Sequence, residues 1–296
     1  MLNAIPSPLK RGLAVVRCGD ASLHPSWSSP ERRFDVGVSY FGDDPHRKFP
    51  EADYVHRGKG GKWDGLFDFF RMFPETVHAY DYFWLPDDDI LATADAISDL
   101  FETGAAKGFH VFQPALDDRS YYSHLITLEH PSFDLRFTNF VEVMVPVISR
   151  EVLVKTLPFL ETTRSGFGID FLWPQLVKDI TGETFKGVAI LDSICVRHTR
   201  PVGGSLHQFM ARRGGRSAMD EMHDTVRRVK ERRTTSINGV AVPRIRILSG
   251  INKGGRYLRG MQLALHVAGD LLHRHVNLAQ PVAPMAALRH AIKAAM

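Results

Sequence analysis

Three consecutive aspartates, Asp87, Asp88 and Asp89, follow the apolar run FWLP at 83–86. In extended chain, side chains at i and i+2 point to the same side. Asp87 and Asp89 can therefore address one point in space. Two carboxylates that close repel each other and raise a pKa unless a cation lies between them. A hard ion such as Mg2+ or Mn2+ takes oxygen ligands at roughly 2.0–2.2 Å and shares them between one or two carboxylates and substrate phosphates. The competing reading is an exposed acidic turn that caps the next helix. A third ligand is available in His198, which closes the apolar run GVAILDSICVRH at 187–198. A lone histidine is also commonly structural. The loop after it, TRPVGG, carries Arg200, which suits an anionic group. Asp170 in GFGIDF stands in the first turn of an expected helix, after two glycines that let backbone approach a ligand. It is a candidate general base, or it merely compensates the helix dipole. Lys62 follows GKGG at the start of another helix, where free N–H groups and the ammonium can hold phosphate. No GK[ST] follows, so the segment is not a P-loop.

These residues need strands and helices to place them. GLAVVRCG (12–19) and RFDVGVSYFGDD (33–44) read as strands that end in small or polar residues. Leu66, Phe69, Phe70 and Phe73 have helical spacing within 61–80, and the strand YDYFWL (80–85) follows. A helix over 92–108 closes at Gly108, and HVFQPAL (110–116) is the next strand. This is the grammar of an α/β sheet with its site at the strand ends. The alternating valines of NFVEVMVPVIS (139–149) predict a further strand, which Pro146 places at an edge or bulge. A mixed, mainly parallel sheet flanked by helices is therefore expected. REVLVKTLPFLETT reads as a helix broken near Pro158, and GFGIDFLWPQLVKDI as a turn entering a helix. Beyond residue 207 the texture becomes polar, basic and helical, with an amphipathic stretch at 261–279.

At 296 residues, 44% hydrophobic and 24% charged, the chain can bury a sizeable core. Cys18 and Cys195 form no CxxC, so neither a zinc cluster nor a disulfide framework is expected, and a reducing, cytoplasmic setting fits. No run approaches the roughly 20 apolar residues of a spanning helix, and the first twenty residues do not read as a signal peptide. Residues 200–296 hold 17 Lys and Arg against 5 Asp and Glu, leaving 20 of the 37 basic and 28 of the 33 acidic residues to the body. An acidic body suits a cation. The basic tail suits docking on the body or peripheral contact with an anionic membrane, as at an inner membrane face. Aromatics are sparse after 210, which argues against nucleic acid as a partner.

Taken together, the Asp-x-Asp after an apolar strand, the Gly-x-Asp helix start and the late histidine resemble the type-A-fold glycosyltransferases. VVRCGDASLH, KWDGLFDFF, YDYFWLPDDDI, FQPALD, GFGIDF and DSICVRHTRPVGG are more closely similar to an uncharacterised domain family of plants and bacteria grouped with that fold. The resemblance covers roughly residues 10–207, a single Rossmann-like catalytic domain, and leaves 208–296 as a basic, mainly helical extension. It implies transfer of a sugar from a nucleotide diphosphate sugar to a glycan or other hydroxyl acceptor. It also implies that Asp87, Asp89 and His198 hold Mn2+ or Mg2+, that Asp88 touches ribose, and that Asp170 is the base. Arg17, Gly19, Asp20 and Tyr40 would border the nucleotide, and Lys62 and Arg200 the diphosphate. Pro86 and the aromatic run before the aspartates depart from the commonest pattern. Two other readings remain: a binding module on a degenerate transferase fold, and a metal-assisted phosphotransferase with a strand-end aspartate.

Overall fold

A computed structural model describes residues 11–183, 187–202, 217–230 and 233–274. Strand β1 (Gly12–Cys18) is buried along its whole length. Period-2 alternation splits its side chains between two apolar clusters. Ala14, Val16 and Cys18 pack with Trp27, Trp84 and Phe101; Leu13 and Val15 pack with Trp63, Phe69 and Trp173. A strand covered on both faces reads as a continuous apolar run, as GLAVV does here.

In chain order there follow β2 (Phe34–Tyr40), β3 (Tyr54–Arg57), α1 (Lys62–Met72), α2 (Thr76–Ala79), β4 (Tyr82–Trp84), β5 (Ile90–Leu91) and α3 (Ala94–Lys107). Next come β6 (Val111–Leu116), β7 (Phe133–Thr138), β8 (Val147–Ser149), α4 (Arg150–Leu160), α5 (Ile169–Thr181) and β9 (Val188–His198). The later elements are α6 (Ala218–Val226), β10 (Thr234–Ile237), β11 (Val240–Pro243), β12 (Ile247–Asn252), β13 (Tyr257–Leu258) and α7 (Gly260–Arg274). The main sheet runs β13-β12-β7-β9-β6-β8-β4-β1-β2-β3, with β5 against the end of β9. The protein is thus α/β with a large mixed sheet flanked by helices.

The sheet is less parallel in its pairing than expected. Along this path four neighbouring pairs are parallel and five antiparallel. Two of the five come from β8, inserted antiparallel between β4 and β6, and three from β7, β12 and β13, added beyond β9. β1, β2, β3, β4, β6 and β9 still share one direction, so their C-terminal ends open on one side.

Several segments depart from the sequence expectation. Within 139–149 only Val147–Ser149 is strand, and it lies inside the sheet, not at an edge. Pro146 precedes it and contributes only its carbonyl, which accepts from Leu85 N at 2.9 Å. Helix α4 continues through Pro158 because the proline sits in its last turn. The missing bond falls at Val154, which is half exposed, so water can serve its carbonyl. The chain after 208 is not mainly helical among its described residues. It adds β12 and β13 to the main sheet and folds β10 and β11 into a hairpin. Helix α7 docks through Leu263, Val267 and Leu271 on a third cluster with Phe133, Phe140 and Ile247. Residues 203–216 and 275–296, which include parts of the predicted basic helix and amphipathic stretch, lie outside the described residues. No helix among the described residues is long and apolar enough to cross a membrane.

Candidate metal and diphosphate site

Beyond β4 the chain stays extended alongside 144–146. Leu85 N donates to Pro146 O at 2.9 Å, and Asp87 N to Met144 O at 2.8 Å. Residue 86 falls between these donors, so a proline there breaks no bond in this register. The acidic turn is pinned again at Asp89, whose carbonyl accepts from Thr199 N at 3.1 Å and Thr199 Oγ1 at 2.9 Å. β5 then pairs Ile90 with His198.

This pinning brings Asp87, Asp89 and His198 together. Each can offer one ligand atom, and the three atoms lie within 4.8 Å of one another. Asp88 turns the other way. It accepts from Gly19 N at 3.0 Å and from Arg200 Nη1 at 3.1 Å, so it ties the end of β1 to the loop after β9. Arg200 also donates to Ala21 O.

His198 Nδ1 lies 2.9 Å from Tyr121 O. A carbonyl only accepts, so Nδ1 carries the proton. Nε2 then faces Asp89 Oδ2 at 3.1 Å. A neutral imidazole would point its lone pair at a carboxylate, which is repulsive unless a proton or a cation lies between. Burial disfavours the imidazolium, but Asp89 and Asp87 outweigh it and hold the His198 pKa above its ordinary value. The same arrangement, with one ring nitrogen fixed by a carbonyl and the other presented beside carboxylates, is that of a metal-ligating histidine. The donor set of two carboxylates and one imidazole fits a divalent cation.

Lys62, the first residue of α1, donates to Asp87 Oδ1 at 2.6 Å and Val143 O at 2.7 Å. Desolvation at the cavity floor still raises the Asp87 carboxyl, against the pull of Lys62. The Asp87 side chain remains 35% exposed, toward a cavity of about 900 Å³. Arg17, Lys62, Asp88, Asp170 and Arg200 line the same cavity. Gly19, Asp20 and Tyr40 are not part of its wall. Tyr40 donates to Asp20 and accepts from Asp44 N at 3.1 Å, so its hydroxyl is engaged outside the cavity. Arg17 is also largely structural. Its guanidinium donates to Ser39 Oγ at 3.0 Å, Gly58 O at 2.8 Å and Gly60 O at 3.0 Å, which fixes the glycine loop before α1. Phe41, at 5.2 Å from that guanidinium, presents a half-open ring at the rim.

Asp170 stands in the first turn of α5, after Gly168 at φ 93°. Its Oδ1 accepts from Phe171 N at 3.0 Å. Burial, with the charge of Glu142 nearby, pushes its carboxyl up to about 8. Glu142 was not singled out in the sequence. It is 4% exposed, lines the cavity, and its Oε2 has no hydrogen-bond partner among the described residues. Burial pushes its carboxyl up to about 7. The available signal was one carboxylate inside the apolar run FVEVMV, where an isolated charge is costly without a task. His124, also on the wall, packs edge-on to Phe140 with ring centres 4.8 Å apart, and burial pushes it down to about 4.

A scan against protein-family models and a search of curated proteins both find no match to this chain.

Proposed function

We propose that the protein is a metal-dependent glycosyltransferase of the type-A fold, moving a sugar from a nucleotide diphosphate sugar to a hydroxyl acceptor. The observation that carries this reading is the His198 imidazole, locked by Tyr121 O and aimed with Asp87 and Asp89 at one point of the cavity floor. Mn2+ or Mg2+ bound there would offset the negative charge that gathers on a departing diphosphate. Lys62 and Arg200 border the same space and add fixed positive charge beside that leaving group. The open face of Phe41 and the end of β1 suit the nucleotide base and ribose.

In the transfer, the acceptor oxygen bonds to the anomeric carbon. The bond from that carbon to the diphosphate oxygen breaks, and its electron pair leaves with the nucleoside diphosphate. The acceptor proton passes to a carboxylate, Asp170 with Glu142 beside it. Both are held near neutral pKa, where a general base contributes about 10^2–10^4 in rate. Peripheral attachment to an anionic membrane through the basic C-terminal segment is part of the same proposal.

Asp87→Asn and Asp89→Asn test the reading. Transfer or hydrolysis from a panel of nucleotide sugars should require Mn2+ or Mg2+ and fall at least about 100-fold in either variant. Undiminished turnover in both variants would remove the assignment. One contact favours a second reading: Lys62 already neutralises Asp87 at 2.6 Å, so the floor could hold a nucleotide without a metal, as a binding module. Metal-independent nucleotide binding without turnover would select it.

A further inference from the structure

The cavity has a second wall that diphosphate and metal leave unused. Met219 and Met222 of α6 and Ile237 at the tip of the β10–β11 hairpin face it, beside Phe167 and Phe171. Three of these five come from the chain beyond residue 208, outside the segment with the transferase resemblance. The wall is firmly held. Glu221, between the two methionines, accepts at Oε2 from Thr163 Oγ1 at 2.9 Å, Arg164 N at 3.1 Å, Ser165 N at 2.9 Å and Ser165 Oγ at 2.6 Å. One carboxylate oxygen thus clamps α6 to the loop that leads into Phe167 and Asp170. The hairpin turns through Asn238 at φ 46° and Gly239 at φ 85°, a two-residue turn in the conformation that suits twisted strands.

Two carboxylates, Glu142 and Asp170, border the same cavity, and each is at least nine-tenths buried. Glu142 Oε2 is left without a partner among the described residues. A ligand that completes this surface must donate a hydrogen bond and cover apolar groups. A free sugar does the first, but it desolvates its other hydroxyls against methionine and phenylalanine, at a cost.

We propose that this half of the cavity takes a hydroxyl compound with an alkyl or aromatic body, the hydroxyl donating to Glu142 or Asp170 and the body lying on Met219, Met222, Phe167 and Ile237. It rests on the transferase reading only in naming this compound the acceptor; the binding itself needs neither metal nor nucleotide. The C-terminal segment is then the part of the chain that selects the acceptor.

Calorimetric titration of the full chain with 1-butanol, 1-hexanol and 1-octanol, and with their methyl ethers, tests it without metal. Affinity should rise about four-fold per methylene buried, and each ether should bind at least about ten-fold more weakly than its alcohol. Ile237→Ser, on the hairpin, and Met219→Ser, on α6, should each flatten the dependence on chain length and leave Mn2+ binding unchanged. Affinity that ignores chain length, or alcohols and ethers that bind alike, would overturn the proposal. So would retention of the full dependence in both variants. Mn2+-dependent nucleoside diphosphate binding, measured on the same samples, separates the two readings. If it persists while the alcohols fail, the acceptor proposal alone falls. If it is absent while the alcohols bind as described, the donor reading falls and the hydroxyl-plus-apolar ligand stands.

Discussion

His198 faces two acceptors, Tyr121 O and the Asp89 carboxylate, and a neutral imidazole has one proton to give. The second contact is satisfied only by another proton or by a cation. Asp170 and Glu142 pose the opposite problem, since both are carboxyls held in conditions that favour the neutral form. Between the ordinary Asp value of 3.8 and about 8, folded Asp170 keeps a proton that the unfolded chain has released. Stability therefore falls as pH rises through that window and levels off above it. Asp170→Asn removes this loss. Chemical denaturation should find the variant equal to the parent near pH 4 and more stable above pH 8, by at most roughly 6 kcal/mol. The same variant should lose about 10^2–10^4 in turnover. In the parent, turnover should climb between about pH 6 and 8 as the base loses its proton. At this scale the sequence was informative where spacing fixes direction: Asp87 and Asp89 do meet, while Asp88 points away to Gly19. For Glu142 it offered only a lone carboxylate in an apolar run, because the burial of that residue depends on the tertiary path of residues 139–146 and not on local pattern.

Among the elements, the approach to α5 is the tightest. Gly166 has φ 71°, and a Cβ there would lie 1.8 Å from Trp63 Nε1. Gly166→Ala meets both the left-handed backbone penalty and an overpacked, buried indole. Urea unfolding should show a loss of roughly 2–4 kcal/mol with an unchanged m-value. A change under about 0.5 kcal/mol would mean that this loop gives way more easily than its packing implies. The long apolar runs were legible as β1, β2, β6 and β9 because each is buried along most of its length. The valine run at 139–149 misled for a physical reason. Its side chains are wanted by two apolar clusters, Val141 by one and Val145 by the other, without its backbone entering the sheet before Val147. Short or polar strands such as β3, β5 and β10 leave little pattern to read, since pairing partners far along the chain decide them.

Over the whole molecule, the division at 207/208 follows composition and not packing. The described chain beyond it completes the sheet through β12 on β7, closes the cavity through α6 and anchors α7 by Asp270, which accepts from Ser132 Oγ at 2.6 Å. A chain ending at 208 would expose the edge of β7 and unclamp residues 163–165. It should aggregate or lose its cooperative unfolding transition, as judged by light scattering and thermal melts. A truncated chain that melts cooperatively at the parental temperature would restore the picture of a self-sufficient domain. Charge divides along the sequence as well: the acidic cluster Asp87–Asp89 belongs to the first 199 residues, and the basic excess to residues 200–296. Cation binding at the acidic cluster is tested most directly by a matrix of thermal melts with nucleoside diphosphates and Mn2+, alone and together. Ligands that bind only the native state raise its melting temperature. At least one nucleoside diphosphate should raise it with Mn2+ well beyond the sum of the separate shifts, and Asp89→Asn should abolish that excess. Equal shifts with and without Mn2+, or no shift with any nucleotide, would contradict a cation bridging Asp87, Asp89 and His198 to a diphosphate.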